Sequence, residues 1–107
     1  MKDLTKRKPI RSKAIRQAAN GESCTVCGVN NGTTVFCHLD EQWAGKGMGQ
    51  KADDIAGFFG CVECHAQYGG ITCSGLRIND GIIMRAMYRT WRILIDRGII
   101  KITDHEP

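Results

Sequence analysis

The most regular pattern of apolar and polar positions lies near the end of the chain. Ile83, Met87, Trp91 and Leu94 recur at helical spacing and predict a helix with one core-facing stripe. Arg85, Arg89 and Arg92, at spacings of four and three, form a second, basic stripe on the same helix. Asn79 or Asp80 is suited to cap it, and Gly98 to end it. Ile99-Ile100-Lys101-Ile102 then predicts a closing strand. Earlier, Thr33 to Leu39 is rich in β-branched and aromatic residues and predicts a strand. Strand alternation puts Thr34, Phe36 and His38 on one face and Val35, Cys37 and Leu39 on the other. Ser12 is a plausible N-cap for a short helix from Lys13 to Asn20, closed by Gly21. Residues 1–11 read as extended, with Pro9 barring a helix. Asp40 to Asp54 reads as a loop broken by Gly45, Gly47 and Gly49. A short apolar stretch from Asp54 to Gly60 leads into Cys61-Val62-Glu63-Cys64-His65, which opens a short helix.

This mixture predicts an α+β chain. Its 107 residues suit one globular unit, residues 23–107, preceded by an N-terminal basic arm and short helix over 1–22. So small a core is thin, and a bound metal is a common supplement. No apolar run resembles a secretory signal or a membrane span, so a cytoplasmic location without membrane contact is expected. In that compartment six cysteines point to metal or reactivity rather than to disulfides.

Charge sharpens the picture. Lys2, Lys6, Arg7, Lys8, Arg11, Lys13 and Arg16 oppose Asp3 alone, giving +6 over residues 1–20, while the remainder carries −2 of the total +4. A basic arm on a nearly neutral body suits contact with a polyanion such as nucleic acid. The competing reading is a solvated tail.

Two C-x-x-C pairs, Cys24/Cys27 and Cys61/Cys64, stand 33 residues apart. Two intervening residues let both thiolates of a pair turn onto one ion, and two pairs complete a tetrahedron, so one structural Zn²⁺ is expected. Gly28 follows the first pair, where a tight knuckle needs a residue able to take positive φ. The long spacing suits a treble-clef knuckle, a hairpin followed by a helix. Cys61-x-x-Cys64-His65 also fits the haem-attachment pattern, but haem would leave Cys24 and Cys27 without a role and is not expected. Cys37 is expected in the core; Cys73 sits in a glycine-rich stretch without an assigned role.

His38 and His65 are the candidate chemical residues. If the knuckle packs strand against helix, both imidazoles face one cleft, where one can act as general base and the other bind a divalent cation. His105 lies in a polar tail and is expected to be inert. Trp43 suits either stacking on a base or packing on a neighbour.

Two cysteine pairs, a histidine ending the strand between them and a histidine after the last cysteine resemble the zinc-bearing HNH, or ββα-metal, nucleases. Nearly the whole chain is similar to small prophage-encoded nucleases of the YbcO type. The likeness is carried by the basic start, Thr34-Val35-Phe36-Cys37-His38-Leu39, Gly47-Met48-Gly49 with Lys51, Asp54, Cys61-x-x-Cys64-His65, and Arg85-Ala86 through Thr90-Trp91 to Gly98-Ile99-Ile100. The resemblance implies hydrolysis of DNA phosphodiester bonds. His38 would be the general base and His65 the ligand of a catalytic Mg²⁺ or similar ion. Asp54 would orient His38 or assist the metal, with Asp53 an equally available substitute. Lys6, Arg7, Lys8, Arg11, Lys13, Lys46, Lys51, Arg85 and Arg89 would meet the phosphates. Cys37, Ala66 and Gly69 stand where many relatives of this kind carry further metal ligands. A non-catalytic zinc-finger-like DNA-binding module is therefore the alternative, and an adaptor using the last helix is a third reading.

Overall fold

A pair of four-residue strands lies between the helices. In the computed structural model, which describes residues 8–47, 50–66, 68 and 78–106, β1 (Val35–His38) pairs antiparallel with β2 (Gly57–Gly60). The register sets Val35 opposite Gly60, Phe36 opposite Phe59, Cys37 opposite Phe58 and His38 opposite Gly57. Around this hairpin lie α1 (Lys13–Gln17), a 3₁₀ turn (Gln42–Ala44), α2 (Val62–Ala66) and α3 (Asp80–Asp96). The architecture is a small α+β fold, and no helix among the described residues is long and apolar enough to cross a membrane.

The glycines that begin and end β2 explain why this segment does not advertise itself as a strand. A Cβ on Gly57 would stand 2.5 Å from the Cys37 carbonyl oxygen and 2.6 Å from the Phe36 ring. One on Gly60 would stand 2.8 Å from Cys37 Sγ. Both positions therefore admit β1 only because they lack a side chain.

Strand alternation splits the interior in two. Cys37 and Phe58 enter a cluster with Val26, Leu39, Ile83 and Ala86. Phe59 joins Ile15, Ala18, Ala19 and Leu94, with Phe36, Ile93, Ile99 and Ile100 packed against them. α1 covers β1, and α3 lies along β2. Ser12 caps α1, its hydroxyl accepting from the Ile15 N–H, as its position before Lys13 predicts. The helix is shorter than the pattern suggests. It ends at Gln17, tightens through an Asn20 N–H to Gln17 C=O bond, and turns at Gly21 with φ +83°. Asn79 caps α3 through the Ile82 N–H, and Gly98 closes it with φ +73°.

The buried stripe of α3 is Ile83, Ala86, Thr90 and Leu94, turned by about one residue from the predicted Ile83, Met87, Trp91 and Leu94. Met87 packs at the edge of the core, whereas Trp91 is 42% exposed and its indole N–H donates to the Ile55 carbonyl. Thr90 takes the inner position because β2 is an edge strand with main-chain groups to satisfy. The Thr90 hydroxyl accepts from the Phe59 N–H at 3.0 Å, and the Thr25 N–H and hydroxyl both donate to the Phe59 carbonyl. The predicted closing strand does not form. Ile99 and Ile100 make a bend and pack on the second cluster instead of pairing, and Lys101 and Ile102 form no strand.

Thr90→Val is expected to destabilise the protein by about 1–3 kcal/mol, since it leaves a buried N–H without an acceptor. Thr90→Ser should recover most of that loss, and urea denaturation at constant metal content measures both.

Candidate functional site

The first cysteine pair lies before β1 and the second directly after β2, so hairpin pairing carries them toward each other. The sulfur atoms of Cys24, Cys27, Cys61 and Cys64 all lie within 4.8 Å of one another. Cys27 Sγ and Cys61 Sγ are 3.9 Å apart. A tetrahedral ion with metal–sulfur bonds of about 2.3 Å requires sulfur separations of about 3.8 Å, so the four fit one ion.

Each pair is a turn built to point thiolates inward. The Cys27 N–H donates to Cys24 Sγ at 3.5 Å and the Cys64 N–H to Cys61 Sγ at 3.4 Å. The Gly28 N–H closes the first turn on the Cys24 carbonyl, with Gly28 at φ +83°. The second turn runs into α2 through the His65 N–H to Cys61 C=O bond. Burial alone would push the Cys24 thiol up. The N–H groups of Cys27, Cys61 and Val26, with the Cys27 thiol, outweigh it and bring Cys24 to about 7. Cys37 is different. Burial, then the neighbouring Cys24 and Cys61, push its thiol up to about 12, and it stands outside the cluster as a core residue, as predicted. Cys73 lies outside the described residues.

At the other end of the hairpin, His38 closes β1. Its Nε2 lies 2.7 Å from Asp54 Oδ1, and its ring meets Phe36 edge-on with centroids 4.9 Å apart. The Asp54 side chain is wholly buried. Its Oδ2 accepts from the Ser12 N–H at 2.6 Å and from Arg16 Nη1 at 2.5 Å, and Arg11 Nη1 stands 3.7 Å from Oδ1. Burial would raise this carboxyl. The hydrogen bonds from His38, Ser12 and Arg16, with the Arg16 charge, hold it below the ordinary carboxylate value. Asp53 is used otherwise, accepting from the Ile10 N–H.

His38 lines two adjoining clefts. One, of about 290 Å³, also holds His65, Asp40, Lys46 and Lys51. The other, of about 550 Å³, holds Arg11, Arg16, Gln50, Lys51 and Asp54. The two candidate histidines thus share a cleft, with His65 on α2 exposed at its rim.

The basic residues are disposed unevenly. Lys8, Lys13, Lys51 and Arg85 are exposed, and Lys46 is exposed beside Asp40. Arg11 donates to the carbonyls of Lys51 and Ala52, and Arg89 to the carbonyl of Thr25. Lys6 and Arg7 lie outside the described residues, as do Met48 and Gly49. Sequence reasoning missed Arg16 as a member of the site; it read only as one more charge in the arm.

Residues 13–99 match the family described as "Putative nuclease YbcO". The chain belongs to this family. The matched YbcO span contains the four cysteines, His38, Asp54, His65 and Arg16. No curated protein and no solved structure matches the chain.

Two outcomes follow for this YbcO-family protein. It should retain one metal ion per chain, lose it with Cys64→Ala and keep it with Cys37→Ser, as read by elemental analysis after gel filtration. Asp54, with its lowered pKa, contributes stability that is present above the unfolded value of about 3.9 and lost as pH falls through the folded value. Acid also protonates thiolates and releases metal. The quantity to follow is therefore the stability difference between wild type and Asp54→Asn, which should shrink as pH falls below about 4.

Proposed function

We propose that the protein is a metal-dependent endonuclease of the HNH, ββα-metal kind that hydrolyses DNA phosphodiester bonds in a phage or prophage setting, within the host cytoplasm. The observation that carries this reading is the His38–Asp54 pair, in a cleft shared with His65 and bordered by Lys46 and Lys51. With Nε2–H donating to an ionised Asp54, the neutral ring presents the lone pair of Nδ1. That nitrogen would take a proton from a water attacking phosphorus, while exposed Lys8, Lys13, Lys46, Lys51 and Arg85 hold neighbouring phosphates without reading sequence.

The four cysteines would hold Zn²⁺ in a treble-clef knuckle. Four thiolates complete the coordination and leave no position for water, so this ion would be structural. His65 would bind a second divalent cation such as Mg²⁺, whose chemistry is to neutralise charge on the scissile phosphate and leaving oxygen.

One observation favours a second reading, a non-catalytic zinc-finger-like DNA-binding module. Among the described residues, the four cysteines are the one group of three or more side chains placed to share a metal.

Plasmid nicking across Mg²⁺, Mn²⁺ and Ni²⁺ tests both. His38→Ala should retain fold and tightly held metal but lose a factor of about 10²–10⁴ in rate. His65→Ala should need a higher cation concentration. Undiminished nicking by purified His38→Ala would overturn the assignment of the base. Salt-sensitive DNA binding without cleavage at any of these ions would favour the module.

A further inference from the structure

Arg16 lies on α1, outside the hairpin and outside both knuckles, yet its guanidinium reaches the centre of the site. The carboxylate of Asp54 divides its two oxygens between two jobs. Oδ2 takes the Ser12 N–H at 2.6 Å and Arg16 Nη1 at 2.5 Å, both from the first turns of the N-terminal segment. Oδ1 is thereby turned toward His38 Nε2 at 2.7 Å.

The helix that carries Arg16 is itself fixed. Ile15, Ala18 and Ala19 are buried against Phe59 and Leu94, and Arg97 of the α3 cap donates to the Ala18 carbonyl at 2.9 Å. Just before the helix, the Asp54 N–H donates to the Ile10 carbonyl, so the segment grips the same residue through main chain and side chain.

Without Arg16 the buried carboxylate would keep one cation, Arg11 at 3.7 Å from Oδ1, and would lose the donor that fixes Oδ2. A weakly compensated buried carboxylate is costly and tends to take up a proton or turn. A protonated or rotated Asp54 would no longer accept from Nε2–H, and the proton of a neutral imidazole would distribute over both ring nitrogens. We propose that Arg16 is a positioning residue: acting through Asp54, it keeps the proton of His38 on Nε2 and so leaves the lone pair on Nδ1. The consequence for hydrolysis rests on the reading of His38 as the general base; the effect on the ring does not.

A competing role is visible, because Arg16 is also partly exposed along the 550 Å³ cleft and could serve a phosphate directly. Kinetics separate the two roles. A residue acting through His38 affects kcat, whereas a phosphate contact made equally in ground and transition states affects KM.

The test compares full-length wild type, Arg16→Met, Arg16→Lys and Asp54→Asn, each checked for metal content and cooperative unfolding. Long-range ¹H–¹⁵N spectra of the His38 ring should show the Nε2–H tautomer in wild type and a tautomer mixture in Arg16→Met and Asp54→Asn. Arg16→Lys, which keeps a cation, should return most of the wild-type pattern. In plasmid nicking, Arg16→Met should lower kcat by about tenfold or more while KM changes less than about twofold. An unchanged His38 tautomer in a folded Arg16→Met would overturn the proposal, as would a raised KM with intact kcat. If the tautomer shifts while nicking is unaffected, Arg16 positions the ring and it is the general-base reading that fails.

Discussion

Convergence of four sulfurs is the constraint on which the molecule depends. A two-stranded sheet of four-residue strands is marginal by itself. Here both ends of the hairpin's long excursion are tied together, because one cysteine pair precedes β1 and the other follows β2. The tie also reaches the sheet edge. Thr25, between the first two cysteines, satisfies the Phe59 carbonyl, and Thr90 of α3 satisfies the Phe59 N–H. Cysteine cluster, strand edge and long helix are thus one connected unit rather than three separate features.

The same arrangement sets the cysteine cluster and the His38–Asp54 pair at opposite ends of β1. The sulfur end of the hairpin is closed, since four thiolates leave an ion no vacant position. His38 stands at the opposite end of β1, and its register partner is Gly57, where a side chain would collide with the Cys37 carbonyl and the Phe36 ring. The glycine therefore lets the strands approach where the imidazole must be held, with Asp54 three residues upstream. Asp54 itself lies in the turn before β2, and the N-terminal segment fixes it through Ser12, Arg16 and Ile10.

Legibility in the sequence followed how directly chemistry constrains residue type. The cysteine pairs could be read because few other residues can hold an ion at that spacing, and α3 could be placed by its cap and its terminating glycine. β2 was not read as a strand, because Gly57 and Gly60 suggest turns when their purpose is close approach. The α3 stripe was displaced by one residue because Thr90 counts as polar in any periodicity, while the need it meets belongs to a strand distant in sequence. The predicted strand at Ile99–Ile102 failed for a related reason: apolar content predicts burial, which Ile99 and Ile100 achieve by packing, but it does not supply a pairing partner. Arg16 was indistinguishable from its basic neighbours because nothing local marks an arginine whose carboxylate is 38 residues away.

The deployment of arginine against lysine bears on what the basic segment is for. A purely electrostatic binder gains from leaving its cations in solvent, where each can displace a counterion from the nucleic-acid backbone. Arg11, Arg16, Arg89 and Arg97 instead donate to carbonyl and carboxylate oxygens of the protein, where a planar fork of donors is useful. Lys8, Lys13 and Lys51 remain exposed, as suits compact charges on flexible stems. These arginines stay partly exposed, so each makes a contact within the protein while keeping its charge at the surface. The Arg16–Asp54 contact bears instead on how the His38 ring is held.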